Sequence, residues 1–179
     1  SRQQRMSPNQ IANTLALPCE ALQIARLDNA PQVLELLQDS QDNHRLLVLG
    51  AGSNVVLPPA LDETVVYVAD QRVEVIADIG ISITLRVGAG KDWHELVAET
   101  LDEGFFGLEN LALIPGWVGA APVQNIGAYG RELSEFVSAV HGVDLAQGIS
   151  RTLSAAECEF SYRDSVFKNA LRDCFVITA

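Results

Sequence analysis

One stretch decides the fold: Leu111-Ala-Leu-Ile-Pro115-Gly-Trp-Val-Gly119-Ala-Ala-Pro-Val-Gln124-Asn-Ile-Gly127-Ala-Tyr129-Gly130. It combines glycines, prolines and amides and carries no charged side chain. Glycine lets the backbone approach a ligand closely and adopt positive φ, and proline fixes the chain before and after it. The stretch therefore predicts preshaped, irregular backbone that wraps a ligand. The alternative is a buried glycine-rich connection that only packs.

The composition limits the class of protein. The chain has 179 residues, 48% hydrophobic and 20% charged, which is typical of a soluble globular protein. Its net charge of −11 would repel nucleic acid and anionic lipid, so local donors must hold any phosphate-bearing ligand. Three cysteines without a C-x-x-C pair favour the cytoplasm and argue against a metal site. Residues 1–12 are expected to be a tail without a signal peptide or membrane span.

The region before residue 70 predicts a small α/β unit. A capping residue, a proline and apolar spacing near 3.6 predict a helix from Asn29 to about Gln41. Residues 45–49 predict a buried strand that runs into a glycine turn, and residues 64–69 predict a further β segment. We therefore expect one unit over residues 20 to about 68.

The region after residue 70 predicts hairpins and one helix. Period-2 runs at 73–78 and 81–87 predict the first hairpin. Asp92, with Glu95 three residues later, predicts a capping box that opens a helix from Trp93 to Glu103, with Leu101 facing inward.

Residues 136–145 and 148–153 predict a second hairpin, and residues 154–157 predict a second capping box. The apolar run 174–179 predicts a strand with no polar tail behind it. Because domains rarely finish that way, we expect a further part to follow.

The Gly50-Ala-Gly52-Ser-Asn54 turn follows a predicted strand. It resembles the start of a dinucleotide fingerprint, but the third glycine position is Val55 and no βαβ helix follows, which argues against a Rossmann NAD site. Free amides and two polar side chains suit an anionic phosphate. A tight turn without a ligand accounts for the pattern equally well. Together with the stretch that ends at Gly130, this turn is placed to hold the two ends of an extended cofactor.

The segment from Phe160 to Lys168 concentrates aromatic, cationic, acidic and hydroxyl side chains. A solvated turn with an Arg163–Asp164 pair of little energetic value is the ordinary explanation. The flanking phenylalanines favour an anchored segment instead, in which the guanidinium of Arg163 polarises a carboxylate or a developing enolate. Tyr162 is then placed to position a substrate oxygen.

These motifs resemble the MurB family, the UDP-N-acetylenolpyruvoylglucosamine reductases of bacterial cell-wall synthesis. The resemblance covers roughly residues 13 to 179 and rests on Leu49–Val55, Gly88–Gly90 with Trp93-His94, Gly107–Gly130 and Tyr162–Lys168. It implies an α+β fold, the two-subdomain FAD-binding fold of the vanillyl-alcohol oxidase and p-cresol methylhydroxylase type. The two subdomains, 13–70 and 71–179, would clasp FAD between them.

The resemblance also implies the site residues. Arg163 matches the arginine that stabilises the enolate intermediate, and Tyr129 and Tyr162 match substrate-binding positions. NADPH would reduce the flavin, which then passes hydride to the enolpyruvyl double bond. Ile177 would lie near the isoalloxazine. The implied FAD-binding residues are Gly50, Ala51, Gly52, Ser53, Asn54, Val55, Ile114, Pro115, Gly116, Gly119, Ala120, Ala121, Gln124, Asn125, Gly127 and Ile177.

The implied biology is that of a cytoplasmic, monomeric oxidoreductase, a flavoprotein of peptidoglycan synthesis that serves cell wall biogenesis, cell shape and cell division. Its substrates would be UDP-N-acetylglucosamine enolpyruvate and NADPH, with no nucleic acid or membrane partner. The proton-donating serine of the family and most UDP-sugar contacts lie in a C-terminal substrate domain that we expect to be absent here. The chain alone is therefore expected to bind flavin without turnover.

The sequence departs from the family pattern at three places. Residues 13–16 read Asn-Thr-Leu-Ala where the family has Asn-Thr-Phe-Gly, Trp117 replaces a small residue, and Ala120-Ala121 replace serines of some members. The lost hydroxyls would remove side-chain contacts to FAD but not backbone contacts. The alternative function is a stand-alone, non-catalytic flavin- or nucleotide-binding module.

Overall fold

The computed structural model describes residues 9–39 and 45–179. Its first sheet has three strands in the order β1-β3-β2, and both neighbouring pairs are parallel. The strands are β1 (Glu20–Leu27), β2 (Leu46–Val48) and β3 (Ala60–Val68). Val65 and Val66 of the central strand are fully buried, as expected for a strand with neighbours on both sides. With the helix that joins β1 to β2, this sheet confirms the predicted α/β unit.

That helix is α1 (Ala30–Asp39). The Asn29 carboxamide oxygen accepts a hydrogen bond from the Gln32 amide at 3.0 Å, which satisfies one free donor of the first turn. Val33 is fully buried and belongs to a cluster that joins the helix to both main sheets. The helix prediction is confirmed as far as it can be followed, and Gln41 lies outside the described residues.

The edges of this sheet differ from the sequence expectation. No element is predicted over residues 20–27, yet β1 lies there. Only Ala21 in this strand is buried, so the period-2 alternation that marks a half-buried strand is missing. β2 is not the buried strand that we predicted, because Val48 is 38% exposed where it borders a cavity.

The predicted hairpin after residue 70 is confirmed as β4 (Val73–Asp78) and β5 (Ile83–Val87), which pair antiparallel. The next helix, α2 (Trp93–Asp102), begins as predicted, since the Asp92 side chain accepts from the Glu95 amide at 3.0 Å.

The inward face predicted for α2 is wrong at one position. Leu101 is 37% exposed, and Thr100 is buried in its place. The Thr100 hydroxyl donates to the Val97 carbonyl at 2.9 Å, so the helix backbone satisfies this polar group inside the protein.

A second three-stranded sheet has the order β10-β8-β9 and is antiparallel. Its strands are β8 (Ala139–Asp144), β9 (Ile149–Ser154) and β10 (Phe175–Ile177), which confirm the second hairpin and the last predicted strand. Ser154 and Glu157 exchange the predicted capping hydrogen bonds, but turns follow them instead of a helix. Short elements complete the chain: β6 (Gly127–Ala128), β7 (Arg131–Glu132) and the 3₁₀ helices Glu109–Leu111, Val118–Ala120, Leu133–Glu135 and Val166–Lys168.

Across the described ranges, no helix combines the length and apolar character that crossing a membrane requires. In the same residues, no three His, Cys, Asp or Glu side chains come together as a group that could hold a metal ion.

Candidate functional site

The two glycine-rich loops face each other across a cavity of about 380 Å³. A second cavity of about 170 Å³ adjoins it and shares Val48, Leu49, Gly50, Trp117, Ala120 and Val123 with it. Together they form a cleft in the size range of small-molecule sites, about 300–1,000 Å³. Most of the predicted FAD-binding residues line the larger cavity, namely residues 50–55, 115, 116, 120, 121 and 124, and Gly119 and Ile177 line the smaller one.

The first loop, residues 50–55, lines this cleft. Among the residues that the structure describes, no protein group accepts a hydrogen bond from the amides of residues 50–54. Gly52 has φ +69°, and a Cβ at this position would lie 2.8 Å from the Ala12 carbonyl oxygen. The Thr14 amide donates to the Gly52 carbonyl at 3.3 Å and holds the turn from behind. A fixed row of free N–H groups is a concave site for an anion.

The second loop is anchored to the turn that follows β5. The Val118 amide donates to the Lys91 carbonyl at 2.8 Å, and the Gly119 amide donates to the Ala89 carbonyl at 2.9 Å. A Cβ at Gly119 would lie 2.6 Å from the Ala89 Cβ, so only glycine allows this close approach. The 3₁₀ helix Val118–Ala120 and the positive φ of Gly116 confirm the preshaped, irregular backbone that the sequence predicts.

One side-chain hydrogen bond connects the two loops, and Trp117 borders both cavities. Asn54 Nδ2 donates to Gln124 Oε1 at 3.2 Å and joins the loops at the larger cavity. Trp117 lines both cavities and packs edge-on against Tyr67, with ring centroids 5.9 Å apart. Trp117 thus lies where the two cavities meet.

Asn125 ties the second loop to the Phe160–Lys168 segment. It is fully buried, and its Nδ2 donates to Glu132 Oε2 at 2.9 Å and to the Ser161 carbonyl at 3.0 Å. Its Oδ1 accepts from the Ser134 amide at 2.9 Å. All these contacts are internal, so the side chain shapes the loop and presents nothing to the cleft. Ile114 and Gly127 also lie outside the lining of both cavities.

Arg163 carries a positive charge that is held by neutral groups. Its Nη1 donates to the Asn125 carbonyl at 3.2 Å and its Nη2 to the Gly127 carbonyl at 2.5 Å. Within the described part of the chain, no carboxylate oxygen lies within 4.0 Å of this guanidinium. Arg163 is half-buried, with its guanidinium carbon 5.3 Å from the centre of the Tyr162 ring. The charge is therefore fixed and remains available to an anion.

The Arg163–Asp164 pair that was the ordinary explanation of this segment does not form. The Asp164 carboxylate instead accepts from Asn169 Nδ2 at 3.1 and 3.0 Å. The buried Ser165 hydroxyl donates to the Val123 carbonyl at 2.7 Å, and the Phe167 ring packs 5.5 Å from the Phe175 ring. The segment is anchored, as the flanking phenylalanines predict.

Tyr129 and Tyr162 are open to solvent. Their residues are 89% and 80% exposed, so both rings are accessible to a bound molecule. Tyr129 has φ +50° in the β6–β7 turn, two residues after the carbonyl that Arg163 contacts. A non-glycine residue in this left-handed region is uncommon and is often found at functional sites.

Two residues at the site are not among the predicted site residues. Lys168 lines the larger cavity and donates from Nζ to the Arg163 carbonyl at 3.0 Å. Glu132 is the carboxylate that holds Asn125. Lys168 closes the motif that begins at Tyr162, which is the only local signal that pointed to it. Glu132 gives no such signal, because its partner is determined by the fold.

A family model described as "FAD binding domain" matches residues 21–154. The UDP-N-acetylenolpyruvoylglucosamine reductase of Pseudoalteromonas translucida is 46% identical over 169 residues, which are 94% of this chain and 49% of that protein. The Shewanella oneidensis protein of the same name is 52% identical over 139 residues, 78% of this chain and 40% of that protein.

Among solved structures, the UDP-N-acetylenolpyruvylglucosamine reductase (MurB) from Thermus caldophilus has a TM-score of 0.69 and 26% identity. The match covers 87% of this chain and 52% of that chain. The chain thus spans about half the length of the curated relatives that it matches.

Proposed function

Since this chain belongs to the FAD binding domain family, and within it to the MurB proteins, we propose that it forms the cofactor-holding part of an NADPH-dependent UDP-N-acetylenolpyruvoylglucosamine reductase. The observation that carries the proposal is the arrangement around the cleft. Residues 50–54 line it with amides that have no acceptor among the described residues, and the second of its two loops holds the Arg163 guanidinium, which has no carboxylate partner in the same part of the chain.

The residues present fit FAD. Backbone amides of residues 50–54, which have no acceptor among the described residues, suit a pyrophosphate, because they supply hydrogen bonds to an anion in a chain of net charge −11. The apolar walls around Trp117 and Ile177 suit the ring systems. When bound, FAD supplies hydride from NADPH to the enolpyruvyl double bond. The remaining site residues of the second loop, Ile114 to Gly127, complete this proposal by shaping the backbone around the cofactor.

Arg163 contributes electrostatic stabilisation on the substrate side. Addition of hydride to one carbon of the enolpyruvyl double bond moves the π electron pair to the other carbon, and the negative charge delocalises into the carboxylate attached there. A guanidinium that is already anchored on two carbonyls needs no reorganisation to stabilise that charge. Tyr129 and Tyr162, both exposed beside it, are proposed to contact the substrate.

The proposal also covers substrate turnover, oligomeric state, location in the cell and the subdomain boundary. Turnover of UDP-N-acetylglucosamine enolpyruvate is assigned to the complete reductase, because the chain spans about half of its relatives. A monomer in the cytoplasm, with no nucleic acid or membrane partner, is supported by the strongly negative charge and the cysteine pattern. The boundary between the two subdomains is proposed near residue 70.

The first test is a fluorescence titration of the purified chain with FAD. We expect saturable binding with one FAD for each chain, and absence of uptake would contradict the cofactor part of the proposal. The second test uses the complete reductase with Arg163→Ala. Reduction of the flavin by NADPH should stay nearly unchanged, while reoxidation by substrate slows by about 100- to 1,000-fold or more.

Arg172→Ala is the matched control, since Arg172 is exposed and lies 3.7 Å from its only ion-pair partner in the described chain, Asp173. It should leave both half-reactions unchanged. Equal loss of both half-reactions in Arg163→Ala would indicate a damaged fold and would remove the support for its role.

A further inference from the structure

Lys168 lines the larger cavity and contacts Arg163. Its Nζ donates to the Arg163 carbonyl at 3.0 Å, and its side chain lines the cavity of about 380 Å³. The chain has two lysines, and they differ in environment. Lys91 pairs with Glu95 and Glu99, whereas Lys168 has no carboxylate oxygen within 4.0 Å among the described residues. Its ammonium is therefore committed to a neutral carbonyl.

The carbonyl that it holds belongs to a strained residue. Arg163 has φ +53°, and the left-handed region is unfavourable for a side chain with a Cβ, so neighbouring contacts must maintain it. This conformation directs the guanidinium to the carbonyls of Asn125 and Gly127. A hydrogen bond from an ammonium is among the stronger ones available to a carbonyl. Losing it would leave this peptide plane with the hydrogen bond from its other side, where the Asp164 amide donates to the Ser161 carbonyl at 3.1 Å, and would free the carbonyl end next to the strained φ.

The position of Lys168 is itself fixed. It ends the 3₁₀ helix Val166–Lys168, whose first turn is capped by the Ser165 hydroxyl accepting from the Phe167 amide at 3.2 Å. Val166 and Phe167 are buried, and the Lys168 amide donates to the Ser165 carbonyl at 3.1 Å. The Lys168 backbone is thus fixed by its hydrogen bond and by the two buried residues that precede it.

We propose that Lys168 is a positioning residue that acts through Arg163. Its hydrogen bond orients the Arg163 peptide and so places the guanidinium for the substrate. The inference rests on the proposed function, in which Arg163 stabilises negative charge on the substrate. A direct charge contact from Lys168 to the cofactor is the competing role, because Lys168 also lines the larger cavity.

Three variants separate the roles. Lys168→Gln keeps a hydrogen-bond donor without charge, Lys168→Met removes both, and Lys168→Arg keeps both. The first readout is the ¹⁵N NMR spectrum of the arginine side chains in the cofactor-free chain, with Arg163→Lys identifying the Arg163 signals. Lys168→Met should lose the slowly exchanging guanidinium signals of Arg163, and Lys168→Gln and Lys168→Arg should keep them.

The second readout is the FAD titration of the same variants. For a positioning residue, the dissociation constant should change by less than about 3-fold in all three, well under 1 kcal/mol. Arg163 signals that persist in Lys168→Met would overturn the proposal. Loss of FAD affinity in both Lys168→Gln and Lys168→Met would also overturn it and would assign Lys168 to the cofactor.

If Lys168→Met does not fold, Lys168→Gln still decides, since loss of the signals there would contradict a role through the hydrogen bond. Failure of the proposed function gives a different pattern. The wild-type chain would then not bind FAD, while the NMR spectra would still report the Lys168–Arg163 contact.

Discussion

Replacement of Gly52 by Ala tests the amide site directly. The native φ of +69° costs an alanine about 1–2 kcal/mol. The new Cβ would also lie 2.8 Å from the Ala12 carbonyl oxygen, which forces a backbone shift costing about 1–3 kcal/mol more. We therefore expect Gly52→Ala to lower the free energy of unfolding by about 2–5 kcal/mol.

The same shift should weaken FAD binding, because it displaces amides that must converge on the phosphates. Loss of one hydrogen bond to a charged group is worth about 1.5–3 kcal/mol, so the dissociation constant should rise by about 10- to 100-fold.

Gly148→Ala is the matched control. Gly148 has φ +64° in the β8–β9 turn, and a Cβ there would meet nothing within 4 Å. It should show the left-handed penalty of about 1–2 kcal/mol alone and unchanged FAD affinity. Urea denaturation gives the stabilities, and flavin fluorescence titration gives the affinities. FAD binding by folded Gly52→Ala as tight as in Gly148→Ala would refute the assignment of the first loop to the phosphates.

Three further predictions concern other parts of the chain. In Gly127→Ala the new Cβ would lie 2.5 Å from Nη1 of Arg163 and 2.7 Å from the Arg131 carbonyl oxygen, so stopped-flow measurements on the complete reductase should show substrate-driven reoxidation about 100- to 1,000-fold slower, a larger loss than in flavin reduction. The hydrogen bond from Arg151 holds the pKa of Asp144 below its usual value. The contribution of the Asp144 carboxylate to stability is therefore present above the pKa of the unfolded chain, about 3.9, and is lost as pH falls through the lower pKa of the folded chain. Urea denaturation between pH 2 and about 7 should therefore show that the free energy of unfolding falls less with decreasing pH in Asp144→Asn than in wild type. Lys91→Met should change the free energy of unfolding by less than about 1 kcal/mol, because its two glutamate partners are exposed and can be hydrated once the buried ammonium is replaced by an apolar side chain.

Local signals in the sequence predict much of the fold. The cap at Asp92 and the β4–β5 and β8–β9 hairpins each depend on residues a few positions apart, and the structure confirms all three. The glycine loops are also predicted, because positive φ and close backbone approach leave few alternatives to glycine. Such features are written in short windows of sequence.

The rest depends on contacts that no short window contains. β1 mixes apolar and polar residues without strict alternation, so only its pairing with β3 identifies it as a strand. Asn125 contacts Ser161 across 36 positions, and its burial shows that it shapes the loop from within, which the motif alone does not indicate. Lys168 likewise acquires a role only when the left-handed backbone of Arg163 brings a carbonyl to it.

The buried carboxamide of Asn125 has an evolutionary and engineering consequence. The Asn125 side chain donates to the Ser161 carbonyl and to the Glu132 carboxylate, and the Asn125 backbone carbonyl accepts a hydrogen bond from the Arg163 guanidinium. Substitutions in residues 114–127 and in residues 160–169 are therefore expected to be interdependent rather than additive. A chimaera that exchanges one segment with a relative should need the other segment from the same donor. These two segments are therefore expected to act as one structural unit.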